Sequence, residues 1–273
     1  MLTFPRDIQK FMFVVPNTRW FGKRCWLWFA PAVTILAPLM RKHGYQVEIL
    51  EANVDNLTFE QVKDRISAFG PDAIGITNMS VEYWKQLHEC ARAAKEVSPD
   101  IITIAGGIHP TTLPDRVMQD SNVDFVILSE GEERLPNLLQ TIRTGGEFST
   151  LNGILYRDRG AVIKVPSSGW FRDLDTVSLP DYRIYSDPMK VFNSSQSAAG
   201  GITTRRSPVA PILSSRGCPY KCSFCAAPVT TGRKMRFRSP ENVLQEVDML
   251  VKKLFFRTTR CLPIGVAHVR SSR

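Results

Sequence analysis

Residues 72–107, DAIGITNMSVEYWKQLHECARAAKEVSPDIITIAGG, contain the pattern that decides the fold. Asp72–Thr77 and Asp100–Ala105 are short runs rich in apolar and β-branched residues, which is typical of buried strands. Val81–Val97 lies between them and has a helical pattern. The stretch therefore predicts a strand, a crossover helix and a second strand parallel to the first.

The same alternation extends over the first 145 residues. Three further runs resemble strands: Phe11–Val15, Tyr45–Leu50 and Asp124–Leu128. Four further segments have helical patterns: Ala32–His43, Thr58–Phe69, Pro114–Gln119 and Glu132–Thr144. Strands that are each followed by a helix predict an α/β fold with a doubly wound, flavodoxin-like parallel sheet.

Such sheets bind ligands beyond the carboxyl ends of their strands. The segments at those ends are Pro16–Pro31, Asn78–Ser80, Gly106–Thr111 and Ser129–Glu132. We expect a ligand site among them.

The chain changes character after the sheet pattern ends. Gly153–Tyr156 and Ala161–Val165 flank a polar turn and predict a β-hairpin appended to the sheet. No period is sustained from Pro166 to Ala210, whereas Pro211–Ser215 is again strand-like. We therefore predict a doubly wound domain with its hairpin over residues 1–165, a linker over 166–210 and a second domain that begins within 211–273.

Charge is distributed unevenly along the chain. The net charge is +9, and residues 201–273 contain 14 lysines and arginines against three acidic residues. A basic region of this kind fits an anionic partner, or a fragment whose acidic remainder is missing. Arg236 and Arg238 are candidates to face an anionic ligand, with a solvated loop as the alternative.

No segment of the chain is typical of a membrane span or a secretory signal. The longest uncharged stretch, Cys25–Met40, has sixteen residues with two prolines, and a spanning helix needs about 20. The first ten residues are polar and lack a cleavage pattern. We expect a cytoplasmic protein with no membrane partner.

Three of the six cysteines form the motif Cys218-x-x-x-Cys222-x-x-Cys225. Thiolates are soft ligands that suit iron–sulfur clusters or zinc. A structural zinc site needs four protein ligands, and the nearest further candidates, Cys261 and His268, are far along the chain. Three thiolates fit a 4Fe-4S cluster in which one iron keeps an open position, with zinc as the alternative.

This spacing resembles the signature of the radical S-adenosylmethionine (SAM) superfamily. Phe224 matches the aromatic residue before the last cysteine, and Pro211–Ser215 supplies the first strand of the (β/α) barrel. The resemblance implies that Cys218, Cys222 and Cys225 hold the cluster and that SAM chelates the open iron. It further implies a radical reaction on a small-molecule substrate, and an electron donor such as a flavodoxin or a ferredoxin.

The order of the segments is similar to the cobalamin-binding branch of that superfamily, which includes anaerobic magnesium-protoporphyrin ester cyclases and carbon methylases. The resemblance implies cobalamin contacts after three strands: Thr77 and Asn78, then Gly106, Gly107 and His109, and finally Gly131. The D-x-H-x-x-G motif that supplies a histidine to cobalt in some cobalamin proteins is absent. An ordinary strand-to-helix turn is the alternative for the glycine pair.

The resulting hypothesis is a cobalamin-binding radical SAM protein for radical methylation or rearrangement of a small molecule. The alternatives are a non-catalytic ligand-binding module with a metal-binding cysteine knuckle, and a zinc protein that binds nucleic acid. A nucleic-acid partner is not expected, since Phe237 alone lies near the basic run as a stacking group.

The barrel predicted by this resemblance is incomplete in the sequence. Leu254–Phe256 is expected to begin its second strand, and the residues after Cys261 have neither a helical nor a strand period. We therefore expect a chain that is truncated within the barrel and inactive on its own.

Overall fold

A computed structural model describes residues 7–23, 30–185, 187–190, 192 and 210–255. Its main element is a seven-stranded sheet with the order β2-β1-β3-β4-β5-β6-β7. The strands are β1 (Lys10–Val15), β2 (Gln46–Glu51), β3 (Ala73–Thr77), β4 (Ile102–Gly106), β5 (Phe125–Ile127), β6 (Ile154–Asp158) and β7 (Ala161–Val165). The first five strands are parallel, and the last two form an antiparallel hairpin. The predicted doubly wound sheet and its hairpin are confirmed.

One or two helices follow each of the five parallel strands. They are α1 (Pro31–Lys42), α2 (Phe59–Phe69), α3 (Trp84–Val97), α4 (Ile108–Thr112), α5 (Pro114–Val117) and α6 (Arg134–Thr144). The start of α2 follows from its sequence: the Thr58 hydroxyl accepts from the amide of Gln61, whose side chain accepts from the amide of Thr58. The helix ends at Gly70, which adopts the left-handed conformation that glycine tolerates.

The core has two layers, one on each face of the sheet. Alternate residues of β1 point to opposite faces: Phe11 and Phe13 join the core under α1 and α6, whereas Met12 and Val14 join the core under α2 and α3. Both faces of the sheet are covered, as a parallel sheet requires.

The described part of the predicted linker packs against this domain. Tyr182, Tyr185 and Phe192 are buried in the core under α1, and Leu174 is also buried. The amide of Asp181 donates to the carbonyl of Thr34 at 3.0 Å. Residues 186, 191 and 193–209 of the predicted linker lie outside the described residues. The segment after residue 165 therefore contributes apolar side chains to the first domain.

The C-terminal segment begins with a small antiparallel sheet. Strand β8 is Ser215–Arg216 and pairs with β9, Arg236–Phe237. The predicted strand Pro211–Ser215 is wrong in its extent, because the described residues provide a pairing partner for its last residue only. Helix α7 is Ala227–Thr230, and α8 is Pro240–Met249.

The chain continues from α8 without a break. Leu250–Phe255 is a π-helix, so the strand predicted to begin at Leu254 is wrong at the positions that the structure describes. Its Phe256, and the cysteines Cys25 and Cys261 with His268, lie outside the described residues. No helix within the described ranges is long and apolar enough to cross a membrane.

Candidate functional site

The candidate site lies at the carboxyl edge of the sheet, where β1, β3, β4 and β5 end side by side. Thr77, the last residue of β3, pairs with Gly106, the last residue of β4. The chain leaves β1 toward β2 on one side and leaves β3 toward β4 on the other. A crevice opens where the connections diverge in this way, and it is the usual ligand site of such folds.

Two largely apolar cavities occupy this edge. The larger has about 240 Å³ and is lined by Val15, Pro16, Thr18, Ala30, Asn53, Thr77, Asn78, Met79, Ser80, Tyr83 and Ile108. The smaller has about 100 Å³ and is lined by Phe13, Ala32, Val33, Leu36, Gly75, Ile76, Thr77, Ile104, Gly106, Gly107, Ile127, Ser129, Gly131 and Leu135. Five of the predicted cofactor residues therefore line a cavity: Thr77, Asn78, Gly106, Gly107 and Gly131.

The side chain of Asn78 organises the turn after β3. Its amide nitrogen donates to the carbonyl of Tyr83 at 2.6 Å, and its amide oxygen accepts from the backbone of Ser80 at 3.1 Å. Asn78 is 3% exposed, so its polar groups shape the cavity wall from within the protein.

Gly107 brings the turn after β4 against the turn after β3. Its φ is 106°, and a Cβ at this position would lie 2.5 Å from the backbone oxygen of Asn78. The backbone approach therefore requires glycine. Gly106 has open space where a Cβ would stand, so the glycine requirement applies to one member of the pair.

His109 lies beside the cavities and lines neither of them. It is 3% exposed, and its Nδ1 has no hydrogen-bond partner among the described residues. Burial, together with the nearby His88, lowers the pKa of His109 to about 4. The imidazole is therefore neutral at physiological pH.

The cysteine loop begins directly after β8. Gly217 has a φ of 97°, and a Cβ there would clash with the carbonyl of Lys234. The amide of Cys218 donates to the carbonyl of Gly232 at 2.9 Å. Cys218 is half-buried, whereas Cys222 and Cys225 are exposed and the Phe224 side chain is 90% exposed.

The donor set of this loop fits an iron–sulfur cluster. It offers three thiols within eight residues, two of them open to solvent, and thiolates are the ligands that such clusters use. No group of three or more His, Cys, Asp or Glu side chains within the described ranges is already gathered as a metal site.

The cysteine loop packs against the carboxyl edge of the sheet. Helix α7, which follows Cys225, contacts α4, which follows β4. The hydroxyl of Ser129, at the end of β5, donates to the carbonyl of Val229 at 3.3 Å. The thiols and the two cavities therefore lie on the same side of the molecule.

Both candidate arginines are engaged by carboxylates of this chain. Arg236 donates from Nη1 to Oε2 of Glu130 at 2.8 Å, and Arg238 pairs with Glu246. The Arg236 and Arg238 side chains are 8% and 9% exposed. Glu130 is 106 residues from Arg236 along the chain, and Glu246 is eight residues from Arg238. The prediction of a solvated loop is therefore wrong for these two side chains, whereas a role toward an anionic ligand stays a prediction.

Comparisons with known proteins agree with this architecture. Residues 27–139 match the B12 binding domain, and residues 212–259 match the Radical SAM superfamily. The chain therefore belongs to the proteins that combine a B12-binding domain with a Radical SAM domain.

Curated relatives cover nearly the whole chain. It is 30% identical over 252 residues to the anaerobic magnesium-protoporphyrin IX monomethyl ester cyclase of Rubrivivax gelatinosus, with 90% of this chain and 43% of that protein covered. It is 27% identical over 246 residues to an uncharacterized methyltransferase of Pyrococcus horikoshii, with 89% and 50% covered. The chain thus spans half or less of the length of these relatives.

Solved structures share the fold. The radical S-adenosylmethionine methyltransferase TsrM of Kitasatospora setae, solved with cobalamin and a 4Fe-4S cluster bound, aligns with a TM-score of 0.72 at 19% identity. The alignment covers 89% of this chain and 47% of that one.

Proposed function

We propose that this chain binds cobalamin at the carboxyl edge of its doubly wound sheet and a 4Fe-4S cluster with SAM on its cysteine loop. One observation carries the proposal: the loop with Cys218, Cys222 and Cys225 packs on the edge that contains both cavities. The proposed reaction is the radical methylation or rearrangement of a small molecule. When bound, these groups would supply one-electron chemistry and a methyl group.

The surroundings of the larger cavity support a large, flat ligand there. Phe21, Met79, Val81 and Trp84 are large apolar side chains that are each 41–52% exposed. The ammonium of Lys85 lies 5.7 Å from the ring of Phe21 and 5.6 Å from that of Trp84, which joins these groups into one surface. An apolar surface beside a cavity favours a ligand with an extended apolar face, such as a corrin.

The residues of the chain would divide the work of binding. The three thiols would hold the cluster, and the apolar wall of the cavities would shield the reacting groups from solvent and from side reactions. Gly106, which has open space where a Cβ would stand, would let the ligand approach the backbone closely. We propose a cytoplasmic protein that receives its electron from a flavodoxin or a ferredoxin.

Anaerobic reconstitution with iron and sulfide, followed by titration with hydroxocobalamin, tests this proposal. We expect the broad visible absorbance of an iron–sulfur cluster and stoichiometric binding of cobalamin. A colourless, zinc-loaded protein that does not bind cobalamin would contradict the proposal and favour the zinc-binding alternative. Cobalamin binding without a cluster would favour a non-catalytic ligand-binding module.

Turnover by this chain is a separate question. Its described C-terminal segment contains a two-stranded antiparallel sheet, which does not enclose a substrate. We therefore expect no substrate turnover from this chain alone. The measurement is anaerobic incubation with SAM and dithionite, followed by chromatography for 5′-deoxyadenosine.

A further inference from the structure

The turn after β5, Ser129–Glu132, contains two carboxylates that are almost completely buried. The side chains of Glu130 and Glu132 are 8% and 9% exposed. Buried carboxylates require compensating charges or hydrogen bonds. Here the compensation comes from the far end of the chain.

Two arginines on the small antiparallel sheet bind this acidic turn. Arg216 and Arg236 are directly paired residues of β8 and β9. Arg236 binds Glu130 through two hydrogen bonds, Nη1 to Oε2 at 2.8 Å and Nη2 to Oε1 at 2.9 Å. Arg216 bridges both acids, with Nη1 3.2 Å from Oε1 of Glu130 and Nη2 2.5 Å from Oε1 of Glu132. Forked contacts of this kind fix the orientation as well as the distance of the two segments.

The contact continues through the backbone to the cysteines. The amide of Phe171 donates to Oε2 of Glu130 at 3.0 Å, and the carbonyl of Phe171 accepts from Arg236. The neighbouring Trp170 lies against Gly232, where a Cβ would stand 2.7 Å from its ring. Gly232 in turn accepts the hydrogen bond from Cys218, and Arg216 stands two residues before that cysteine.

Glu130 stays ionised in this position. Burial by itself would raise its pKa, but the hydrogen bond from Arg236 and the charges of both arginines hold the pKa of Glu130 below its ordinary value. Removing this carboxylate would leave two buried guanidinium groups with one remaining acid, Glu132. Because an uncompensated buried charge is unfavourable, we expect the segment that contains Arg216 and Arg236 to move toward water.

We propose that Glu130 is a positioning residue that holds the cysteine loop against the carboxyl edge of the sheet. The role of the loop in holding a cluster rests on the proposed function, whereas its placement by Glu130 can be measured without any cofactor. Glu130 binds Arg216 and Arg236, and these residues orient the segment that leads into Cys218.

The test is the alkylation of the reduced, metal-free full chain with iodoacetamide, quantified for each cysteine by mass spectrometry. Cys218 is half-buried, whereas Cys90 lies fully buried in the first domain and reports whether that domain stays folded. In Glu130→Gln we expect alkylation of Cys218 to accelerate roughly tenfold, toward the rates of the exposed Cys222 and Cys225, with Cys90 still unreactive. Arg216→Gln, which removes a partner of Glu130, should also accelerate the alkylation of Cys218 and leave Cys90 unreactive.

Glu133→Gln is the matched control, because Glu133 directly follows this turn but is exposed. It should leave all four rates unchanged. An unchanged Cys218 rate in Glu130→Gln would overturn the inference. A parallel increase at Cys90 would also overturn it, since Glu130 would then support the stability of the domain instead of the placement of the loop. Neither result depends on whether cobalamin or a cluster binds.

Discussion

The hydroxyl of Tyr182 donates a hydrogen bond of 2.9 Å to Oε1 of Glu246, and both residues are buried. Tyr182 belongs to the segment after residue 165, whereas Glu246 lies in α8. The same carboxylate pairs with Arg238. A polar contact buried at this depth joins the C-terminal helix to the core of the first domain.

Tyr182→Phe should therefore destabilise the whole protein. It removes a hydrogen bond to a charged acceptor in a buried place, which is worth about 1.5–3 kcal/mol. Chemical denaturation monitored by circular dichroism would show the lower free energy of unfolding. Tyr220→Phe is the control, because the Tyr220 side chain is 71% exposed. An equal decrease in the free energy of unfolding in this variant would indicate that the hydrogen bond of Tyr182 does not contribute specifically to stability.

The buried carboxyl group of Glu51 should make stability depend on pH. Glu51 is 7% exposed and its Oε2 has no partner among the described residues. Burial is the main reason that its pKa rises from 4.5 to about 8. Between these values the folded chain binds a proton that the unfolded chain has lost, so stability falls as pH rises through this window.

Glu51→Gln should remove this pH dependence. At 1.4 kcal/mol for each pKa unit, the variant should be more stable than the wild type by up to about 3 kcal/mol at pH 7, with the difference vanishing near pH 4. Denaturation series from pH 5 to pH 8 measure both slopes. Glu48→Gln, on the same strand but paired with Arg65 at the surface, should keep the wild-type slope. Parallel slopes for Glu51→Gln and the wild type would exclude the raised pKa.

The two neighbouring glycines at the end of β4 should respond differently to alanine. Gly107→Ala forces a side chain into the left-handed region and against Asn78, and we expect a loss of about 1–3 kcal/mol in stability. Gly106→Ala has open space and should keep its stability, yet its methyl group projects toward the smaller cavity and should weaken cobalamin binding. Denaturation and titration with hydroxocobalamin separate the two effects. Full cobalamin affinity in Gly106→Ala would place the ligand elsewhere.

The proposed division into residues 1–165, 166–210 and 211–273 can be tested by limited proteolysis. Because Tyr182 and Tyr185 are buried in the core of the first domain, the stable N-terminal fragment should retain Tyr185. Mass spectrometry of the fragments identifies its end. A stable fragment that ends near Val165 would mean that this packing contributes little.

Sequence periodicity predicted the elements whose signals are local. The strand predicted at Phe11–Val15 and the helix predicted at Thr58–Phe69 are examples, and each pattern needs only near neighbours in the chain. The pairing of Glu130 with Arg236 joins positions 106 residues apart, and no local pattern encodes it. The apolar residues after position 165 follow no helical or strand period, so the sequence pattern does not predict their burial either. The turn Ser129–Glu132 was recognised as part of the edge, but its carboxylates were not assigned to arginines.

The last prediction concerns the three cysteines of the loop. We expect Cys218→Ala, Cys222→Ala and Cys225→Ala each to abolish cluster binding, because two thiolates leave the cluster one ligand short. The other cysteine in the described part of the chain, Cys90, is fully buried in the first domain. The measurement is iron and sulfide content after anaerobic reconstitution, with the visible spectrum as a second readout.

Cys90→Ala is the matched control for these variants. Cys90 is fully buried on α3, and burial raises the pKa of its thiol, so it contributes packing and no ligand. We also expect Cys25→Ala and Cys261→Ala to retain the cluster. If Cys222→Ala kept the iron content of the wild type, the assignment of the cluster to this loop would fail. If Cys261→Ala lost it, a fourth protein ligand would close the site and leave no open iron for SAM.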